Sequence, residues 1–285
     1  MQINLLHAVC FTFTVLSPAL GSRFWDSLKA VEAALFNPLR KLGDVSMYQN
    51  IVVERVSSQP LLSLNMRNVN ELFPGFAMGE FAVLHGSSSV EALSSLLCVR
   101  AQLPVQLGGL GGNVVFLDGG NTFQLYHIAR LARLHKLDPK QTLERIYISR
   151  AFTAYQMTAL ILEKLKETIK RYDAKLVVIS DIAGFFMDKD IAETEARRVY
   201  SQVVAYLSNF AKENQIALVA TYPPHRESKR NSFLHAVTCG RADTVISLRQ
   251  TRYEREFILE KHQRYILGVA ALPFETLTLE NFLEA

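Results

Sequence analysis

From Gly79 to Ala220 the chain alternates short apolar runs with segments of helical period, and this alternation restricts the fold more than any other feature. Phe81–Leu84, Asn113–Asp118, Arg145–Ile148, Lys175–Ile179 and Gln215–Ala220 read as strands. Helical spacing over Val90–Val99, Thr122–Leu134, Ala154–Ile169 and Glu193–Ala211 fills the intervals. The strands are continuously apolar, so both faces of their sheet must be covered. That pattern predicts an α/β fold, a mostly parallel central sheet flanked by helices. Three further runs, Asp243–Leu248, Glu254–Glu260 and Tyr265–Ala271, are joined by short links and predict a β-rich C-terminal edge. Before them, Pro223–Ser232 (PPHRESKRNS) is polar, basic and rich in breakers, and is expected to be a loop.

A chain of 285 residues with 49% hydrophobic content suits one sizeable domain with a modest N-terminal addition. The expected division is an extension over 1–46, a lead-in over 47–78, a core over 79–274 and a tail over 275–285. Met1–Leu20 is apolar but has no Lys or Arg at its start, and His7, Ser17 and Pro18 interrupt it. It therefore reads as an ordinary extension, or as a stretch ahead of a true start at Met47, and not as a secretion signal or membrane span. Phe24–Leu39 has helical spacing through Trp25, Leu28, Val31 and Leu35. A net charge of +4 permits nucleic-acid contact without arguing for it. Cys10, Cys98 and Cys239 are far apart and the histidines are scattered. No disulfide framework, metal site or cofactor is expected, and the setting is expected to be reducing and cytoplasmic.

Glu80–Pro104 has the order strand, glycine turn, helix that a P-loop occupies. A P-loop, Gly-x-x-x-x-Gly-Lys-Ser/Thr, wraps phosphates around its second glycine. Its lysine reaches the β/γ-phosphates and its hydroxyl holds Mg²⁺. Counted from Gly86, those three places hold Glu91, Ala92 and Leu93, and no lysine occurs between Lys41 and Lys136. Ser87, Ser88 and Ser89 either hold an anion at the helix N-terminus or cap the helix; the missing lysine and Glu91 favour capping. Asp118 either faces a ligand at the carboxyl ends of the strands, or caps the next helix or takes backbone hydrogen bonds. Gly108–Gly112 (GGLGG) is a glycine-rich turn without the spacing of a dinucleotide fingerprint.

Several pieces then appear in one order: Val69–Gly79 (VNELFPGFAMG), Gln102-Leu103-Pro104, GGLGG, Val114–Phe123 (VVFLDGGNTF) and Arg150–Gln156 (RAFTAYQ). Together they resemble the core of the RecA/Rad51/RadA recombinase family over roughly Val69 to Phe274. The resemblance implies a RecA-like P-loop NTPase fold, with Gly86, Ser87, Ser88, Ser89, Asp118 and Asp181 as a vestigial nucleotide site. The place of the family's catalytic glutamate falls at Gly120, which cannot act as a base. The family's Walker B strand ends in aspartate then serine, whereas here Ser180 precedes Asp181. The family's Asn-Gln nucleotide sensor corresponds to Thr221-Tyr222. No catalytic residue is therefore assigned.

By the same resemblance, His225, Arg226, Lys229 and Arg230 fall where the family places its second DNA-contacting loop. Arg150 and Phe152 fall in a region with inter-subunit roles, Arg150 pairing either across an interface or locally. No phenylalanine-x-x-alanine anchor precedes Glu71. The expected activity is thus that of a degenerate paralogue, an accessory or structural factor in homologous recombination or DNA repair. Its expected partners are a related recombinase or paralogue subunit, single-stranded DNA, or a second copy in a small homo-oligomer, with no membrane. The alternatives are an enzyme with an unconventional phosphate site and a RecA-fold interaction module outside DNA repair.

Overall fold

The computed structural model describes residues 59–251 and 254–272. The expectations for 1–46 and for the tail 275–285 fall outside these residues. Among the described residues, no helix is long and apolar enough to cross a membrane.

An eight-stranded sheet forms the centre. Its strands are β3 (Phe81–Gly86), β4 (Asn113–Asp118), β5 (Ile146–Arg150), β6 (Ala174–Ser180), β7 (Ala217–Tyr222), β8 (Thr244–Gln250), β9 (Arg255–Lys261) and β10 (Gly268–Leu272). Their spatial order is β10-β9-β8-β3-β7-β6-β4-β5. All pairings from β8 to β5 are parallel, and β9 and β10 add antiparallel strands, as the meander pattern predicts. A small antiparallel pair, β1 (Leu61–Leu62) and β2 (Phe76–Ala77), flanks α1 (Arg67–Leu72). The described part of the lead-in is built into the core: Leu62, Met66, Val69, Phe73 and Phe76 are buried there.

The period-two geometry of strands divides the buried side chains between two layers. Ala82, Leu84, Val114, Phe116, Leu176 and Val178 face α2 (Ser89–Arg100) and α3 (Leu125–Leu134). Phe81, Val83, Val115, Leu117, Val177 and Ile179 belong to the opposite layer, with α7 (Glu193–Asn214). Tyr200, Val203, Val204, Leu207, Phe210 and Ala211 recur on one face of α7, which explains how 22 residues stay helical against a sheet. Glu193 and Glu195 at its start and Lys212 at its end suit the helix dipole, and Gln215 closes it with a left-handed φ of 50°.

Three local expectations are corrected, and one helix is found where none was expected. The helix expected from Thr122 begins at Leu125, because Asn121 turns left-handed (φ 55°) and the Thr122 amide is held by the Asp118 carboxylate. The helix over Ala154–Ile169 is built as α5 (Ala154–Ala159), a π-helical turn (Leu160–Lys164) and α6 (Leu165–Arg171). A short α4 (Pro139–Glu144) follows Asp138, whose carboxylate accepts from the Gln141 amide at 2.8 Å. The expected loop ends at Ser228, where α8 (Lys229–Arg241) begins; the Ser228 hydroxyl accepts from the Asn231 amide at 3.0 Å.

Candidate functional site

The carboxyl ends of β3, β4, β6 and β7 meet at one rim of the sheet, the place where open α/β folds bind ligands. Gly86 closes β3 with φ 103°, and a side chain there would collide with the Leu248 carbonyl oxygen. The Ser87 amide is already bonded to that carbonyl at 2.7 Å. Helix α2 then starts at Ser89, three positions after Gly86. The Val90 and Glu91 amides bond to Ser87 and Ser88 carbonyls, both at 3.2 Å. The amides that would wrap phosphates in a P-loop are thus turned inward to begin a helix. Ser88 stands at the N-cap position without a capping bond of its own, and the Ser87 hydroxyl accepts from the Ser89 amide at 3.4 Å. Ser89 instead reaches Gln250 at 3.5 Å.

Asp118 is the centre of a row set by strand register. Arg150 on β5 and Ser180 on β6 lie directly beside it. Its carboxylate, with the residue 0% exposed, accepts from Arg150 Nε at 3.1 Å and Nη2 at 2.9 Å. It also accepts from the Ser180 hydroxyl at 3.0 Å and the Thr122 amide at 2.9 Å. Of the two readings for Arg150, the structure has the local pair. Phe152, two residues on, is 71% exposed.

Asp181 lies past the end of β6 with a left-handed φ of 43°. Its amide donates to Thr221 Oγ1 at 2.9 Å, and its carboxylate meets His225 Nε2 at 2.8 Å. Thr221 and the buried Tyr222, which stand at the sensor positions, therefore act as braces: the Tyr222 hydroxyl donates to Asn231 Oδ1 at 2.6 Å. Gly120 packs against this carboxylate residue; a Cβ there would stand 2.8 Å from Thr122 Cγ2 and 3.0 Å from Asp181 Cβ. No side chain of any size fits at that position without movement.

Glu91 is the member that sequence reasoning noted only as a repulsive neighbour. Burial raises its carboxyl above the usual range, and Asp181 and then Asp118 raise it further. Three carboxylates thus share the rim where a phosphate chain would need cations. The signal was present in sequence, since the lysine place of a P-loop is next to this glutamate.

The basic candidates separate into two kinds. Arg226 and Lys229 are exposed. Arg230 turns back, donating to the carbonyls of Phe186, Asp188 and Ile191 at 3.4, 2.5 and 2.9 Å. His225 faces Asp181. A cleft of about 400 Å³ opens beside the rim, lined by His85, Gly86, Tyr222, Pro223, His225 and His235 among others.

A family model described as Rad51 matches residues 64–232, and the chain belongs to that family. A protein named DNA repair and recombination protein RadA, from Cenarchaeum symbiosum (strain A), is 26% identical over 156 residues. That match covers 54% of this chain and 36% of the relative, so the chain spans little more than a third of the relative's length.

Proposed function

We propose that the chain is a catalytically degenerate member of its family that serves homologous recombination or DNA repair as an accessory or structural factor. One observation carries the reading: Glu91, Asp118 and Asp181 converge on the rim, while the early start of α2 uses the amides of the phosphate loop. Phosphoryl transfer depends on positioning and on stabilising phosphate charge, and this rim offers the opposite charge. Arg150 and Asp118 neutralise one another, so Arg150 is not free for phosphate and the Glu91 and Asp181 carboxylates remain at the rim. The work left is non-covalent. The similarity to a DNA repair and recombination protein, RadA, supports recombination as the setting.

Two surfaces suit such work. Arg226 and Lys229 present cations for the backbone of single-stranded DNA. The outer strand β5 carries exposed Ile148, and Phe152 follows it, an apolar edge suited to a recombinase or paralogue subunit. Titration calorimetry of the purified chain with ATP and Mg²⁺ tests the reading. No heat at millimolar nucleotide is expected. Stoichiometric, Mg²⁺-dependent binding would sink it.

A further inference from the structure

Beside the carboxylate rim, three side chains from two distant parts of the chain meet under the cleft. His85 is the last residue but one of β3, and His235 and Cys239 stand one turn apart on α8. Their ligand atoms all lie within 4.8 Å of one another. His85 Nδ1 is 3.3 Å from His235 Nε2, which is 3.5 Å from Cys239 Sγ. A tetrahedral zinc-type ion holds nitrogen at about 2.0–2.1 Å and sulfur at about 2.3 Å, so its ligand–ligand edges are roughly 3.3 Å for N–N and 3.6 Å for N–S. Two of the three edges have those lengths, and the third, between His85 and Cys239, lies within 4.8 Å and closes as the ion draws its ligands in.

The outer shell fits as well. Glu260, on β9, meets the far nitrogen of His85, Nε2, at 2.8 Å. A carboxylate there keeps the proton on Nε2 and leaves the Nδ1 lone pair facing the cluster, the usual arrangement behind a metal-bound histidine. The His235 ring stands edge-on to Tyr222 at 5.0 Å and to His85 at 4.8 Å, which limits its rotation. His85 and His235 also line the cleft, so a fourth position opens towards it.

We infer that His85, His235 and Cys239 form a binding site for a zinc-type divalent cation, with Glu260 as the positioning residue behind His85 and the fourth position open to the cleft. The chemistry is mixed nitrogen and sulfur, which selects Zn²⁺ over Mg²⁺ or Ca²⁺. Burial holds the Cys239 thiol up to about 11, so the ion must displace its proton on binding. The competing account is a bare hydrogen-bonded chain from Glu260 to Cys239.

The test uses the full chain, stripped with chelator and titrated with Co²⁺ as a spectroscopic substitute. One Co²⁺ per chain is expected, with tetrahedral visible bands and a thiolate-to-cobalt charge-transfer band that Zn²⁺ removes. Cys239→Ser should lose the charge-transfer band, and Glu260→Gln should weaken Zn²⁺ affinity by about 10–100-fold. Near-UV circular dichroism checks that each variant is folded. Should Cys239→Ser not fold, mass mapping of alkylation in the native chain replaces it, and Zn²⁺ is expected to protect Cys239. Absence of the charge-transfer band in the native chain, its survival in Cys239→Ser, or unprotected Cys239 would each overturn the site.

Discussion

Asp118 shows how much a residue's burial decides. The exposed pair Lys140–Glu144, at 4.0 Å, contributes at most a few tenths of a kcal/mol. Arg150 and Asp118 differ, because the Asp118 side chain is 0% exposed and loses two of its four hydrogen bonds if Arg150 goes. Arg150→Met is expected to cost about 2–3 kcal/mol, less than a fully stranded buried charge because Ser180 and Thr122 still donate. Urea unfolding midpoints measure it. A second residue sets a pH dependence. Burial, and next to it the charge of Arg100, lowers His135 to about 4 from its ordinary value near 6.5. The unfolded chain takes up this proton first, so stability falls as pH drops from about 6.5 to 4. Partial exposure reduces the effect to about 2 kcal/mol. His135→Gln should flatten that part of a melting-temperature profile; an unchanged slope would refute the assignment.

Helix α8 is the element that matters most and the one least legible beforehand. Leu234 and Thr238 are buried and Phe233 and Val237 half-buried against the core, so its apolar face is short and interrupted by a polar residue. A run of ten polar and breaker residues hid its start, although Ser228 is a capping residue type. With the helix unassigned, the four-residue spacing of His235 and Cys239 had no geometric meaning, and their meeting with His85 stayed invisible. The short α4 was also missed, despite the Asp138-Pro139 start signal. The entrance to α8 carries its own expectation. Replacing Arg226 and Lys229 together by Ala should weaken single-stranded DNA binding and lower the salt slope by about 1.4, roughly 0.7 per lost phosphate contact. Arg230→Ala should instead lower the melting temperature, since Arg230 holds the carbonyls of Phe186, Asp188 and Ile191. Fluorescence anisotropy at several salt concentrations distinguishes the two; an unaltered slope in the double variant removes the loop from DNA binding.

At the scale of the whole molecule, the parallel sheet and its antiparallel edge were readable because Leu176–Ile179 and its counterparts are apolar without interruption. Strand order was not, and it is order that brings residues 85, 235 and 260 together across long stretches of chain. That Glu91 and Ala92 stand where a P-loop has its glycine and lysine was legible in the sequence, whereas the inward-turned amides depend on how the turn folds. The outer position of β5 gives a further expectation. Phe152→Glu should abolish co-purification with a recombinase partner while leaving the melting temperature unchanged, because Phe152 is 71% exposed. Retained co-purification would place the interface elsewhere.

The row of Arg150, Asp118 and Ser180 has a kinetic consequence. Where a bound γ-phosphate holds loops in place, hydrolysis releases them, and the protein carries a clock. Here the ends of β4, β5 and β6 are tied by a guanidinium that belongs to the chain and cannot depart. On the proposed function, such a subunit would have no turnover to time its partnerships. It would join and leave an assembly according to partner concentration alone, a fixed brace among subunits that cycle.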